Sequence, residues 1–185
     1  MAELTNLKKS ILIAGSHGKT TTTCIAAHIF KENNLDPTYI IGGKVSSFES
    51  NANLGEGKHI FAEADESDGS FLLFNPDKAI ITGIDNDHLE TYQGNIENLK
   101  KAFADFIKKV KSTVFILDLE KKWLKDLSLR TEKIITYGFS SDADYKIIHY
   151  SPMYERSMPK IYLMDVPKIP SPIPIMIERD PALLG

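Results

Sequence analysis

Cysteine, excess positive charge and long apolar runs are all scarce in this sequence. Cys24 is the only cysteine, which excludes an intrachain disulfide and is typical of proteins in a reducing compartment. The formal net charge is −3, so no strongly basic face favours nucleic acid or an anionic membrane. The first apolar run, residues 11–14, is far too short for a signal-peptide core or a membrane-spanning helix. We therefore predict a cytoplasmic protein without a nucleic-acid or membrane partner.

The order of apolar segments predicts an α/β fold. With 185 residues, 42% hydrophobic and 25% charged, the chain is long enough for one globular domain with a real core. Aliphatic runs alternate with helical patterns, which favours a mostly parallel sheet with helices on both faces. The predicted strands are 10–14, 38–43, 59–65, 78–84, 113–118 and 132–138, and the predicted helices are 20–34, 95–110 and a short one over 120–127.

Two helices can be assigned a buried face from their spacing. In 20–34, Ile25 and Ile29 are predicted to face the core, with Ala26 and Phe30 as further candidates for the same face. In 95–110, Asn95 is a predicted N-cap, and an apolar stripe recurs at helical spacing. That stripe consists of Leu99, Phe103, Phe106 and Val110.

The C-terminal part differs in composition from the rest. Segments 145–150 and 160–166 have the pattern of two antiparallel strands added to one sheet edge, so residues 1–165 are predicted to form the domain. Residues 166–185 hold five of the nine prolines and are predicted to form an extended tail, because proline cannot donate to a sheet. The polar segment 44–58 is long enough for a functional loop, although a merely disordered loop is an equal alternative.

The sequence AGSHGKT at residues 14–20 lies between the first predicted strand and helix. A glycine-bracketed loop there presents unpaired backbone N–H groups to an anion. Lys19 would add a positive charge at the β- and γ-phosphates, and the Thr20 hydroxyl is a hard ligand for Mg²⁺. Ile13 stands where a strict phosphate loop has its first glycine, so an ordinary strand-to-helix turn is the alternative. The predicted ligand is a nucleoside triphosphate, and its predicted binding residues are Gly15, Ser16, His17, Gly18, Lys19, Thr20 and Thr21.

Polar groups follow the next two predicted strands as well. AEADESDGS at 62–70 follows one strand, and IDNDHLETYQG at 84–94 follows the other. Ligands of open α/β sheets bind at the carboxyl ends of strands. A carboxylate and an imidazole there could complete a magnesium site with Thr20. Considered separately, a solvated acidic turn and a surface histidine are the alternatives, and imidazole is an unusual ligand for magnesium.

Three motifs in this order, AGSHGKTTTT, EADESDGSF and DHLETYQG, resemble the central ATPase domain of the Mur ligases, a P-loop NTPase-like fold. The likeness extends over about residues 11–145 and is greatest for the members that join L-alanine to UDP-N-acetylmuramate. The resemblance implies that Lys19 contacts the γ-phosphate and that Thr20 binds a first Mg²⁺. It also implies that Glu63 is an acidic magnesium ligand and that His88 is associated with a second magnesium. Lys19, Glu63 and His88 are the expected catalytic residues.

The resemblance implies an ADP-forming ligation in peptidoglycan precursor synthesis, with UDP-N-acetylmuramate and L-alanine as partners. The sugar carboxylate takes the γ-phosphoryl group of ATP, and the amine then displaces phosphate from the acyl phosphate. Such a reaction depends on positioning and charge neutralisation and needs no side-chain nucleophile. Cys24, inside a predicted helix, is interpreted as a small core residue.

The sequence departs from the family in several places. Gly83 stands where the family usually has asparagine, and Glu90 where it has aspartate. We find no N-terminal UDP-sugar domain, no GxHNxxN segment and no C-terminal domain. Since these ligases close domains around the acyl phosphate, we expect this chain to bind Mg²⁺–ATP weakly and to have little ligase activity.

Two alternative functions stay open at this stage. One is the related ligase that joins a recycled tripeptide to the same sugar nucleotide; supplying the other domains in trans and comparing the two amines would distinguish it. The other is a non-catalytic nucleotide-binding module whose proline-rich tail docks on proteins; a nucleotide titration would separate it from an enzyme. Simple ATPase or kinase activity has less support, because no catalytic-base signature is present. Nothing in the pattern sets an oligomeric state.

Overall fold

The computed structural model describes residues 2–43, 50–117, 122–123, 134–141, 143–149 and 162–163. Its helices are Ala2–Thr5 (α1), Lys19–Glu32 (α2) and Ile96–Lys109 (α3), and 3₁₀ turns cover Ser70–Leu73 and Leu89–Tyr92. Its strands are Lys9–Ala14 (β1), Thr38–Ile40 (β2), Ala52–Asn53 (β3), His59–Glu63 (β4), Lys78–Ile81 (β5), Thr113–Leu117 (β6), Ile134–Gly138 (β7), Tyr145–His149 (β8) and Tyr162–Leu163 (β9).

Within these ranges the strands form one sheet, in the order β3-β2-β4-β1-β5-β6-β7-β8-β9. All pairs from β2 to β8 are parallel, and only the outermost pairs, β2 with β3 and β8 with β9, are antiparallel. The predicted parallel sheet with an antiparallel extension at one edge is thus confirmed, with β8 itself joining β7 in parallel. The short β3 at the opposite edge, inside the segment interpreted as a loop, was not predicted.

Each face of the sheet buries its own apolar cluster. Ile13 of β1 and Phe61 of β4 pack with α2 on one face. Leu12 and Ala14 point to the other face and join the larger cluster that includes α3. Successive side chains of a strand alternate between faces, so a strand that is apolar throughout, such as β1, needs helices on both sides.

Helix α3 agrees closely with its predicted pattern. The Asn95 side chain accepts a hydrogen bond from the Glu97 N–H at 2.8 Å, which satisfies one of the unpaired donors at a helix start. All four residues of the predicted stripe are buried: Leu99, Phe103, Phe106 and Val110.

The buried face of helix α2 matches the prediction only in part. Ile25 and Ile29 are only half-buried, whereas Thr23, Cys24 and Ala27 are buried. The Thr23 hydroxyl donates to the Lys19 carbonyl at 2.9 Å, so its burial leaves no unpaired polar group. Ala26 and Phe30 are half-buried and pack against the same cluster, and the Phe30 ring meets the Phe61 ring edge-on with 4.8 Å between centroids.

Some predictions concern parts of the chain outside the described residues. Of the predicted short helix 120–127, only residues 122–123 are described, and they are helical. The proline-rich segment 166–185 and residues 44–49 lie outside. No helix in the described part of the chain combines the length and apolar character needed to cross a bilayer.

Candidate nucleotide-binding site

The loop between β1 and α2 opens at the carboxyl edge of the sheet. Gly18 is the N-cap of α2, has φ +78° and provides no side-chain cap. The N–H groups of the first helical turn therefore remain available to an anion at the positive end of the helix dipole. Thr21, in this first turn, is exposed.

Position 15 requires glycine because the segment that follows β5 passes too close to it to leave room for a side chain. Its φ is +130°, and a Cβ atom there would lie 2.3 Å from Thr82 Oγ1 and 2.8 Å from the Gly83 oxygen. The Ser16 N–H donates to the Gly83 carbonyl at 3.0 Å, and the Ser16 Oγ accepts from the Asp85 N–H at 2.9 Å. The loop is thus fastened to the tip of the neighbouring strand.

Gly83, which stands where the family usually has asparagine, contributes to this contact through its backbone. Its φ of +150° lies in a region that side chains rarely adopt. Its carbonyl is the acceptor for the Ser16 N–H. The glycine therefore permits a backbone conformation that helps to hold the loop.

The imidazole of His17 faces the same segment. Its Nε2 lies 2.8 Å from Asp87 Oδ2 and 3.9 Å from Asp85 Oδ2, and all three side chains are substantially exposed. The His17 carbonyl accepts a hydrogen bond from the Thr82 hydroxyl. In the structure, the side chain of this predicted nucleotide-binding residue thus faces two aspartates.

Thr20 and Glu63, predicted to share a magnesium ion, are close together. Thr20 Oγ1 lies 3.2 Å from Glu63 Oε2, and Glu63 Oε1 accepts from the Gly42 N–H at 2.9 Å. The carboxylate at the end of β4 is therefore fixed beside the first turn of α2. A hydroxyl and a carboxylate oxygen are the hard ligands that Mg²⁺ takes alongside water and substrate phosphates.

His88 is not brought into this pair. It is exposed, with φ +55°, at the start of the 3₁₀ turn Leu89–Tyr92. Among the described residues, no hydrogen bond connects it to Thr20 or Glu63. That part of the chain also holds no group of three or more His, Cys, Asp or Glu side chains arranged for a metal ion.

Lys19 is held by a buried carboxylate. Its Nζ lies 2.8 Å from the Gly15 oxygen and 2.9 and 3.1 Å from the two oxygens of Glu66. Asp65 Oδ1 is farther away, at 3.6 Å. The Glu66 side chain is only 1% exposed, against 55% for Asp65 and 16% for Lys19. Sequence reasoning missed Glu66, since the motif EADESD offers several carboxylates and does not reveal which one turns inward.

Hydrogen bonds fix the turn that carries Glu66. The Tyr92 hydroxyl donates to the Glu66 carbonyl, and the Thr91 hydroxyl donates to that of Ser67. Burial, followed by the negative charge of Glu66, raises the pKa of Tyr92 to about 12, so its hydroxyl remains a donor at neutral pH. Burial raises the pKa of Asp65, but hydrogen bonds from Ser67 and the charge of Lys19 outweigh it and leave that pKa below its usual value.

Cys24 is a core residue, as predicted. It is buried on α2, and burial together with the nearby charge of Glu63 raises its pKa to about 11. The thiol is therefore protonated at neutral pH and is a poor nucleophile.

Comparisons with known proteins identify relatives of this chain. Residues 13–171 match the model of the Mur ligase middle domain. A UDP-N-acetylmuramate–L-alanine ligase of Coxiella burnetii (strain Dugway 5J108-111) is 38% identical over 96% of this chain, and one of Pelobacter propionicus is 48% identical over 80%. The chain spans 38% and 33% of their respective lengths.

A solved structure gives the same result. The crystal structure of the UDP-N-acetylmuramate–alanine ligase MurC from Thermotoga maritima superposes with a TM-score of 0.66 at 30% identity, and covers 80% of this chain and 33% of the other. The expected P-loop-type central domain is therefore confirmed, both by sequence and by fold. The chain belongs to the Mur ligase middle domain family.

Proposed function

We propose that this chain is the ATP-binding domain of a cytoplasmic UDP-N-acetylmuramate–L-alanine ligase. The contact between Thr20 Oγ1 and Glu63 Oε2, at 3.2 Å beside the glycine loop, is the observation that carries the proposal. It places two oxygen ligands suited to magnesium next to the loop that would bind the phosphates, at one edge of the sheet. Binding of Mg²⁺–ATP requires both features side by side. Relatives named as alanine ligases favour this substrate over a recycled tripeptide.

The loop and the first turn of α2 would bind the triphosphate. Backbone N–H groups from His17 to Thr21 would surround the phosphates, and Lys19 would contact the terminal one. The Ser16 N–H is already bonded to Gly83, so we assign Ser16 a role in holding the loop. Gly15 and Gly18 supply the backbone conformations that the loop needs.

Thr20 and Glu63 would hold magnesium, and their oxygen chemistry fits that ion. When bound, magnesium neutralises charge on the phosphates. His88 makes no hydrogen bond to Thr20 or Glu63 among the described residues, so we assign it to a second magnesium and not to the ion at Thr20 and Glu63. We keep it in the proposed catalytic set on the strength of the family motif.

In the proposed whole enzyme, a carboxylate oxygen of UDP-N-acetylmuramate attacks the γ-phosphorus, and ADP leaves. The amine of L-alanine then displaces phosphate from the acyl phosphate and forms the amide. The residues of this chain position the nucleotide and offset the charge that develops on the transferred group. Other regions of the protein would bind the sugar nucleotide and the amino acid.

A nucleotide titration with one pair of variants tests the proposal. We expect millimolar or tighter binding of Mg²⁺–ATP by isothermal titration calorimetry. Thr20→Val should weaken it by about tenfold, the effect of a lost charge-assisted contact. Thr22→Val, on the same helix, loses a hydroxyl outside the proposed site and should change the affinity by less than about twofold. No binding by the wild type, or equal effects of the two variants, would refute the proposal.

A further inference from the structure

Glu66 is a buried charge that the proposed chemistry does not use. Its carboxylate is 1% exposed and makes two contacts to Lys19 Nζ, at 2.9 and 3.1 Å. A buried carboxylate needs a cationic or hydrogen-bonding partner, and here that partner is the lysine proposed for the terminal phosphate. The position of the Lys19 ammonium therefore depends on Glu66.

The two carboxylates near Lys19 differ in how easily they can be displaced. Asp65 lies at 3.6 Å, beyond ordinary hydrogen-bond range, and its side chain is 55% exposed, so solvent can replace Lys19 there while the hydrogen bond from the Ser67 N–H, at 3.1 Å, stays in place. Glu66 has no such escape, since separating it from Lys19 would leave its charge unpaired in the interior. An incoming phosphate oxygen would therefore replace Asp65 more readily than Glu66.

Glu66 is also fixed through its backbone. Its carbonyl accepts from the Gly69 N–H at 3.1 Å and from the hydroxyl of the buried Tyr92. Lys19 is bonded at its other side to the Gly15 carbonyl, at 2.8 Å. The ammonium group is thus held between the nucleotide loop and the turn after β4.

We propose that Glu66 is a positioning residue that holds the Lys19 ammonium in place before and after nucleotide binding, so that the terminal phosphate displaces Asp65. The second half of this statement rests on the proposed function, while the first half concerns the chain without nucleotide. Glu66 touches no phosphate in this scheme and acts only through Lys19.

The first test observes the lysine directly. In the nucleotide-free chain we expect a resolved ¹H–¹⁵N NMR correlation for the Lys19 ammonium, assigned by its loss in Lys19→Arg, because hydrogen bonding slows proton exchange with water. Glu66→Gln should abolish the signal, and Tyr92→Phe should weaken it. Asp105→Asn, which breaks a 2.8 Å ion pair on α3, is the control and should leave it intact. Survival of the signal in Glu66→Gln, or an unaltered signal in a folded Tyr92→Phe variant, would overturn the proposal.

The second test compares ATP with ADP by calorimetry in two matched variants. Glu66→Gln and Asp65→Asn each remove one carboxylate beside Lys19. If only charge mattered, both would strengthen the preference for ATP. We expect Glu66→Gln to reduce that preference by about fivefold, the usual effect of one hydrogen bond, and Asp65→Asn to maintain or increase it. Changes in the same direction would overturn the proposal. A wild-type chain that binds neither nucleotide would refute the proposed function, and the NMR result would still decide whether Glu66 holds Lys19.

Discussion

Replacing Lys19 is the usual way to disable a nucleotide loop, and here we expect it to destabilise the fold as well. Lys19→Met keeps an apolar stem of similar length but removes the only cation bonded to Glu66 among the described residues. Glu66 is 1% exposed, so solvent cannot replace the lost partner. The variant would then contain an uncompensated negative charge beneath the loop.

The size of this effect follows from burial. Removing one partner of a buried ion pair typically costs about 3–5 kcal/mol. Because Lys19 itself is 16% exposed, we take the lower end, about 3 kcal/mol. For a protein of this length 1 kcal/mol corresponds to roughly 2–4 °C, so the melting temperature should fall by roughly 6–12 °C.

Urea unfolding of a double-mutant cycle checks the reasoning. Glu66→Gln in the Lys19→Met background removes the unpaired charge and should return stability to within about 1 kcal/mol of wild type. Lys108→Met, which breaks an exposed pair with Asp105 at 2.8 Å, should change stability by less than about 0.5 kcal/mol. If Lys19→Met loses less than about 1 kcal/mol, or if the two single effects simply add, the assignment of a buried ion pair is wrong.

Three further predictions concern the loop, the metal and alkaline pH. Gly15→Ala should lower the free energy of unfolding by at least about 2 kcal/mol, because its Cβ would lie 2.3 Å from Thr82 Oγ1. Gly18→Ala, whose Cβ meets nothing closer than 4.0 Å, should lose only about 1 kcal/mol in the same urea assay. Glu63→Gln should weaken Mg²⁺–ATP binding about tenfold without weakening ATP binding in EDTA, as measured by calorimetry. Burial raises the pKa of Tyr137 from 10.0 to about 12, so its contribution to stability is complete below pH 10 and is lost as pH rises towards 12. Unfolding measured at several pH values should therefore show a shallower decline for Tyr137→Phe.

The sequence was sufficient to predict the parts of the fold that rest on local pattern. The parallel strands and α3 have clear periodicity, and Asn95 has the residue type and position of a cap, so each was predicted correctly. The inward face of α2 was predicted only in part, because the spacing favoured Ile25 and Ile29, whereas Thr23, Cys24 and Ala27 are the buried residues. Strand β3 has only two residues, too few for a period-two pattern to be visible.

In the candidate site, too, some residues were predicted from the sequence and others were not. The strand ends predicted a carboxylate of residues 62–70 beside Thr20, and the family resemblance identified it as Glu63; the structure places Thr20 Oγ1 and Glu63 Oε2 3.2 Å apart. His88 follows such a strand too, but its turn leaves it exposed. Glu66 could not be found from sequence, since its burial depends on the turn made by Asp65 to Gly69 and on Tyr92, which is distant in the chain.

The bonds that join Ser16 and His17 to the segment 82–85, beyond β5, have a consequence for nucleotide affinity. They order the glycine loop in the chain without ligand, so the entropy of fixing that backbone is lost during folding and not on association. Such a preorganised receptor should bind ATP with little change in the amide signals of residues 15–18 beyond those expected from phosphate contact. Its affinity should also fall when Thr82 is replaced, because the Thr82 hydroxyl donates to the His17 carbonyl of the loop.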